Sequence, residues 1–310
     1  MVVISKPNKT SYDNPKSFRP IILLTTISKL IEKVIGNRLQ FHITSNFFIY
    51  PSQLGSLKFK SMTDTSVVLT YIIHLGWVKN LSTSILVFDI VQFFPSLNHH
   101  FLTLILRKVD FDFRIANFFS NYLIGRKINY FWNGFTSPSL DVNVRVGQGL
   151  ALSLILSALY LLPFLYILEM HLKILKILIS ILLFVNDGLL LSQCKSFSIS
   201  NSHLFCSYNI VTILLLKFRL IVKHLKTKVF HFTRSQEIFN PPSLDLFPIE
   251  EPILCSKESW KYLEFIFDRK LTFHQHINFY LNKVMSMVKC MKILGNSNHG
   301  LIPNQKYLLY

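Results

Sequence analysis

At 310 residues, half of them apolar, the chain is long enough for two or three subdomains around a sizeable core and too apolar to be disordered. Lys and Arg number 33 against 16 Asp and Glu, a net charge of +17 that points to a polyanionic partner, either nucleic acid or an acidic membrane surface. Cys194, Cys206, Cys255 and Cys290 show no CxxC spacing and no leader pattern opens the chain, so neither a disulfide framework nor a secretory signal is expected, and the thiols read as free and buried.

The chain opens with a strand-like run from Met1 that ends in a basic Pro/Asn turn at Lys6 to Lys9. From Ile21 to Leu39, Leu24, Ile27, Leu30, Ile31, Val34, Ile35 and Leu39 recur at helical spacing. They predict an amphipathic helix with Lys29, Lys33 and Arg38 on its polar side. Thr83 to Phe88 is a compact apolar strand ending at Asp89. His99 to Lys108 and Phe113 to Ile124 read as helices, and Ile128 to Trp132 and Val142 to Val146 as strands. Ala151 to Leu168 reads as a long buried helix. Its length approaches the ~20 residues of a membrane span, but Ser153, Ser157 and Pro163 interrupt the stretch and Lys and Arg cluster on neither side.

Ile179 to Leu191 is an apolar run broken by Asn186-Asp187-Gly188, which predicts a hairpin with a polar tip. Ser202 to Phe218 follows as a helix, Lys228 to Phe232 as a strand, Phe239 to Pro252 as a Pro-rich connector, Trp260 to Phe267 as a strand and Ile277 to Leu294 as a helix. Strands and helices interleave without regular βαβ repetition, so the expected fold class is α+β, a sheet covered by helices on one face.

Asp89 alone is a carboxylate at a strand end, where caps and turns also place Asp, and the Asn186-Asp187-Gly188 tip alone is an ordinary hairpin turn. Together they bring acids to the ends of adjacent strands, an arrangement suited to two Mg²⁺ ions about 3.5–4 Å apart and hence to phosphoryl transfer. Between them, Val146-Gly147-Gln148-Gly149 is a flexible turn opening the long helix. Backbone N–H groups and the helix dipole favour an anion there, although most such turns are only tight turns.

The order of these pieces resembles the reverse transcriptase of non-LTR (LINE-like) retrotransposons, of the type found in fungal genomes. Ser17-Phe-Arg-Pro-Ile-Ile-Leu-Leu and Ser28-Lys-Leu-Ile-Glu-Lys-Val-Ile resemble the opening fingers motif; Gln53-Leu-Gly55 with Lys58, Lys60-Ser61 and Thr63-Asp64 resembles the next. Phe88-Asp89-Ile90-Val-Gln-Phe93-Phe94, Gly147-Gln148-Gly149 with Leu152-Ser153, and Phe184 to Asp187 resemble the three palm motifs. Lys226-Thr227-Lys228 to Phe232 resembles the fourth box, and Trp260-Lys-Tyr-Leu263 with Phe267-Asp-Arg-Lys-Leu271 the primer grip.

The resemblance implies a right-hand-like polymerase. Fingers and palm, with an antiparallel palm sheet backed by helices, would occupy 1–235, connector and primer-grip strands 236–275, and the start of a truncated helical thumb 276–310. Asp89, Asn186, Asp187 and Lys226 would be the catalytic positions, with Asp89, Asp187 and the Ile90 carbonyl as metal ligands and Lys226 as proton donor to leaving pyrophosphate. Lys58, Lys60, Ile90, Phe94, Gln148 and Gly149 would meet the nucleotide, Phe94 testing the ribose 2′ position, and Tyr262 and Leu263 would grip the primer. The implied cofactor is a pair of Mg²⁺ ions, with Mn²⁺ as the implied substitute. The implied partners are an RNA template, a DNA primer and dNTP, with no membrane and a nuclear location.

Several positions depart from the family pattern. Asn186 stands where active relatives carry the first acid of Phe-x-Asp-Asp, Leu150 and Leu154 where Ser and Pro are usual, and Glu264 where a Gly is expected. Strand alternation predicts that Asp187 faces away from the position of Asn186 and cannot replace that acid. A degenerate copy is therefore expected, impaired as an RNA-directed DNA polymerase, or else a catalytically dead nucleic-acid-binding remnant.

Overall fold

The computed structural model describes residues 1–7, 11–46, 48–58, 60–109, 111–122, 125, 127–132, 134–141, 146–147, 150–234 and 259–294. These separate into two compact units, one running to His231 and the other starting at Phe232. The first opens with an antiparallel pair, β1 (Val2–Ser5) and β2 (Phe18–Ile21), followed by α1 (Thr26–Ser45) and α2 (Met62–Val78). Then come β3 (Ser82–Asp89), α3 (Phe93–Ser96), α4 (His99–Lys108) and α5 (Phe113–Tyr122). Four two-residue strands follow, β4 (Lys127–Ile128), β5 (Phe131–Trp132), β6 (Phe135–Thr136) and β7 (Leu140–Asp141), and then α6 (Ala151–Ile174). The hairpin β8 (Ile179–Phe184) and β9 (Asp187–Cys194), the helix α7 (Phe197–Lys217), a 3-10 turn at His224–Lys226 and β10 (Lys228–Phe232) complete it.

The functional sheet runs β10-β3-β9-β8, with β3 and β8 both antiparallel to β9. Ile85, Leu86, Leu189, Leu190 and Leu191 are almost wholly buried, so the sheet is held between α7 on β3 and β9 and the surrounding core rather than half exposed. The long apolar helix α6 packs against α1, α4 and α7. Its Tyr160, Phe164, Leu165 and Leu168 lie at the centre of the core, and the Tyr160 hydroxyl donates to the Phe218 carbonyl. By length and composition α6 and α7 are apolar enough to cross a membrane; in the fold most of α6 is buried inside the protein.

Local capping sets several boundaries. Thr25 accepts from Ser28 N at the start of α1, Asn98 accepts from Phe101 N at the start of α4, and Ser61 and Asp64 form a reciprocal capping box for α2. Sequence periodicity assigned no element to Met62–Val78, because apolar residues occupy every face of that helix; the capping box was the available signal.

Three expectations change. The helix predicted from Ile21 begins at Thr26, with Ile21 in β2. The face predicted to be buried is largely exposed: Ile27, Leu30, Ile31 and Val34 face solvent, while Glu32, Leu39 and Ile43 are buried. The cause is packing, since Gly36 lets α1 approach Leu152 of α6 closely, and Glu32 accepts a hydrogen bond from Tyr122. The thiols are not uniformly buried either: Cys194 is, Cys206 and Cys290 are exposed, and Cys255 lies outside the described residues.

The second unit contains β11 (Ser259–Tyr262), β12 (Phe265–Asp268) and α8 (His274–Leu294). The single strand predicted from Trp260 to Phe267 is a tight antiparallel hairpin, turning at Leu263 and Glu264 with φ of 45° and 69°. Glu264, where the resemblance expects Gly, thus sits in a left-handed conformation that costs non-Gly residues energy. Trp260, Tyr262 and Phe267 stack under the hairpin, and Asp268 accepts from the Lys270, Thr272 and Phe273 amides to turn the chain into α8. The connector predicted from Phe239 to Pro252 and the strand from Val142 lie largely outside the described residues.

In the first unit, residues 52–55 clip the outer edge of β8: Leu54 N donates to Leu183 O at 2.9 Å and Leu183 N to Ser52 O at 2.9 Å. A Cβ on Gly55 would lie 2.5 Å from the Val185 nitrogen, so only glycine lets this segment sit against the hairpin tip. Gly55→Ala is expected to destabilise the protein by about 1–3 kcal/mol, measured by urea unfolding, because backbone cannot yield as a side-chain tip can.

Candidate active site

The site is built where β3 ends and β9 begins. The register pairs Phe88 with Gly188 and Asp89 with Asp187, and a Cβ on Gly188 would lie 2.1 Å from the Phe88 ring, so glycine is needed for that pairing. The hairpin turns at Val185 and Asn186, with Val185 at φ 58°, a strained conformation for a β-branched residue.

Asn186 therefore belongs to the turn and not to the strand, and pleat alternation does not govern it. Asp187 is the first residue of β9, directly opposite Asp89, so the two carboxylates share one face of the sheet. This corrects the expectation that Asp187 faces away: both tip residues address Asp89.

Asp89 is satisfied on both oxygens by protein N–H donors. Asn186 Nδ2 donates to Oδ1 at 2.6 Å, and Lys226 Nζ donates to Oδ2 at 2.6 Å. The backbone closes the same junction: Ile90 N donates to Asn186 O at 3.0 Å, Lys223 N to Asp89 O at 2.8 Å and Val91 N to Ile221 O at 2.8 Å. Asp187 is half-buried. Burial first, then the neighbouring Asp89 charge, pushes its carboxyl from 3.8 up to about 6, against the opposing pull of Lys226.

The predicted site residues divide accordingly. Asp89, Ile90, Asn186, Asp187 and Lys226 meet at one junction. Phe94 lies close by in sequence, half-buried, its ring 5.5 Å from that of Phe93 at the edge of the core. Lys58 and Lys60 are exposed on the segment leading into α2. Gln148 and Gly149 lie outside the described residues; the preceding Gly147 packs so tightly that a Cβ would meet Ile22 at 2.1 Å. Tyr262 and Leu263 belong to the second unit, where Tyr262 is buried under Trp260 and Leu263 occupies the turn. An apolar cavity of about 670 Å³, lined by β1, β2, Trp132, Pro95 and Gly147 among others, touches none of the junction residues.

Chain comparison decides the family. The model of the reverse transcriptase (RNA-dependent DNA polymerase) family matches residues 4–267, most of the chain. The chain belongs to the reverse transcriptase family. Solved structures with the same fold include telomerase from Candida tropicalis truncated from its C-terminal domain, at TM-score 0.52 and 13% identity over 80% of this chain and 44% of that one. The same telomerase in complex with a TWJ fragment of telomeric RNA matches at 0.53 and 12% over 80% and 37%, and its apo form at 0.55 and 11% over 78% and 40%. The chain thus spans less than half of each telomerase chain, and the likeness shows the α+β, right-hand polymerase fold expected above.

Reverse transcriptases as a family use divalent metals, which makes the donor set a test of this junction. Two carboxylates are present where the family pattern has three, each oxygen of Asp89 already accepts from an amide or an ammonium, and no group of three His, Cys, Asp or Glu residues placed to hold a metal occurs among the described residues. Hard divalent ions prefer carboxylate oxygen, and with one acid fewer and an ammonium on Asp89 the residues present do not fit a two-ion centre. Sequence reasoning missed Tyr208 and His224 behind Lys226, because no spacing rule links a buried helix tyrosine to a distant turn; Thr227 appears in it only as part of the fourth box.

The raised carboxyl of Asp187 has a measurable consequence. Its folded-state value lies above its unfolded one, so the charged form costs stability: the loss begins as pH rises past 3.8 and is complete above about 6. In EDTA, Asp187→Asn is expected to stabilise the protein at about pH 7 by on the order of 1–2 kcal/mol, allowing for solvent screening, and by almost nothing near pH 3.5, read by urea unfolding at both.

Proposed function

We propose that this chain is the fingers-and-palm region, with primer-grip strands and the start of a thumb, of a reverse transcriptase from a non-LTR retrotransposon of fungal type, and that this copy is impaired as a polymerase. The reading of the element rests on the ordered motifs from Ser17-Phe-Arg-Pro20 to the Trp260-to-Leu271 box. The impairment rests on one observation, the Asn186 amide donating to Asp89 where the family pattern has an acid. An amide there donates to one oxygen of Asp89 while Lys226 donates to the other. An acid would repel it and require a cation between the two.

The reaction is attack of a primer 3′-OH on the α-phosphate of a dNTP, templated by RNA. At the junction, Lys226 is the proton donor to leaving pyrophosphate; Phe94, close by in sequence, is the wall against which the ribose 2′ position is tested. Lys58 and Lys60 face the triphosphate, with Gln148 and Gly149 completing the nucleotide site. Tyr262 and Leu263 support the primer. Magnesium, or manganese in its place, is the ion the site would hold once the missing acid is restored. The excess of Lys and Arg favours binding through nucleic-acid phosphates, and the nucleus is the compartment in which such an element copies itself.

The second reading, a catalytically dead nucleic-acid-binding module, is favoured by the same saturation of Asp89, which leaves the junction stable without a metal. Primer extension on an RNA template separates the two. Asn186→Asp is expected to exceed the natural chain by about a thousandfold in rate with Mg²⁺, the effect of several kcal/mol at about 1.4 kcal/mol per decade. Extension by neither chain, with RNA binding that weakens steeply with salt in both, would leave the binding module.

A further inference from the structure

Lys226 reaches Asp89 from a short 3-10 turn, and a lysine side chain is a flexible four-carbon stem whose reach depends on where its backbone is held. The turn is exposed: Leu225, next to Lys226, is 93% accessible, and Lys226 itself is more than half exposed. What holds it is a group behind it. Tyr208, on α7 and fully buried, directs its hydroxyl to His224 Nδ1 at 2.6 Å and to Thr227 Oγ1 at 3.1 Å, so one hydroxyl ties the residues on both sides of Lys226.

The protonation states are consistent with this. Burial pushes the Tyr208 phenol up, so it keeps its proton, and burial pushes His224 down, so its ring stays neutral; with the ring proton on Nε2, Nδ1 accepts from the phenol. Thr227, buried and starting the path into β10, donates in turn to the Tyr208 oxygen. The two rings also meet edge to face at 5.9 Å. In front of the turn, the Lys223 amide donates to the Asp89 carbonyl, so the segment is anchored at the strand end and again at Tyr208.

We propose that Tyr208, acting through His224 and Thr227, is a positioning residue that holds the Lys226 ammonium on Asp89. Its consequence for nucleotidyl transfer rests on the polymerase reading above, whereas the positioning itself does not. Replacing the hydroxyl by hydrogen in Tyr208→Phe keeps the ring in the core and removes only the two tethers.

The test reads Lys226 directly. Acetylation of the folded protein with an amine-reactive acetyl ester, followed by mass spectrometry, gives a rate for each lysine. Tyr208→Phe is expected to raise the Lys226 rate about threefold to tenfold, the worth of about one hydrogen bond, with Lys79 and Lys217 unchanged as controls of the fold. His224→Asn, which keeps an acceptor near the position of Nδ1, is expected to stay close to the natural rate, and His224→Leu, which removes one of the two tethers, to fall between the natural chain and Tyr208→Phe. Equal Lys226 rates in the natural chain, Tyr208→Phe and His224→Leu would overturn the proposal, as would a general rise across all lysines.

Single-turnover primer extension in the Asn186→Asp background supplies the second readout. Tyr208→Phe is expected to lower the maximal rate about threefold to tenfold with the KM for dNTP unchanged, and to have no further effect when Lys226→Ala is also present. Full additivity of the two changes would overturn the action through Lys226. Absence of extension from every variant, with the acetylation shift present, would remove the polymerase reading and leave the positioning intact.

Discussion

The register between β3 and β9 is the constraint on which the rest of this site depends. A slip of one residue would repack the apolar side chains of a strand buried on both faces, drive Gly188 away from the Phe88 ring and separate Asp89 from Asp187. Three features hold it: the continuous burial of Ile85, Leu86, Leu189, Leu190 and Leu191, the contact of Gly188 with the Phe88 ring, and the clip of residues 52–55 on β8. None of these involves a charge, and together they force two carboxylates together where neither would place itself.

Forcing acids together is unfavourable unless something neutralises them, and here the protein supplies the neutralisation. Asn186 and Lys226 each donate to Asp89, while Asp187 responds to burial and to Asp89 by holding its proton to higher pH. Asp89 is therefore neutralised without an external cation, while Asp187 bears the cost of its own charge above about pH 6. The proposed impairment rests on this arrangement, in which the Asn186 amide donates to Asp89 at an otherwise intact hairpin tip.

How far these features were legible varies with their physical origin. The hairpin, the strand ending at Asp89, the helix from His99 to Lys108 and the strand from Lys228 to Phe232 are stamped by local periodicity and turn residues. The α2 helix is not legible because its residues are apolar all round, so no periodicity distinguishes helix from strand. The Trp260-to-Phe267 segment reads as one strand because its turn uses Leu263 and Glu264, residues that do not normally mark a left-handed turn. Amphipathicity alone assigns the apolar face of α1 to the core, yet Gly36 and Glu32 decide which side faces α6 and α5.

By itself the sequence determined the family, most of the elements around the site, the identity of the acids and lysine, and the amide that stands among them, because these depend on residue type and on spacing along the chain. Only the tertiary structure decided that Asp187 shares a face with Asp89, that Lys226 and Asn186 saturate that carboxylate, and that a buried tyrosine stands behind the lysine. Those facts depend on strand register and on contacts between residues some 16 to 137 positions apart, and no pattern along a chain carries the distance between such residues.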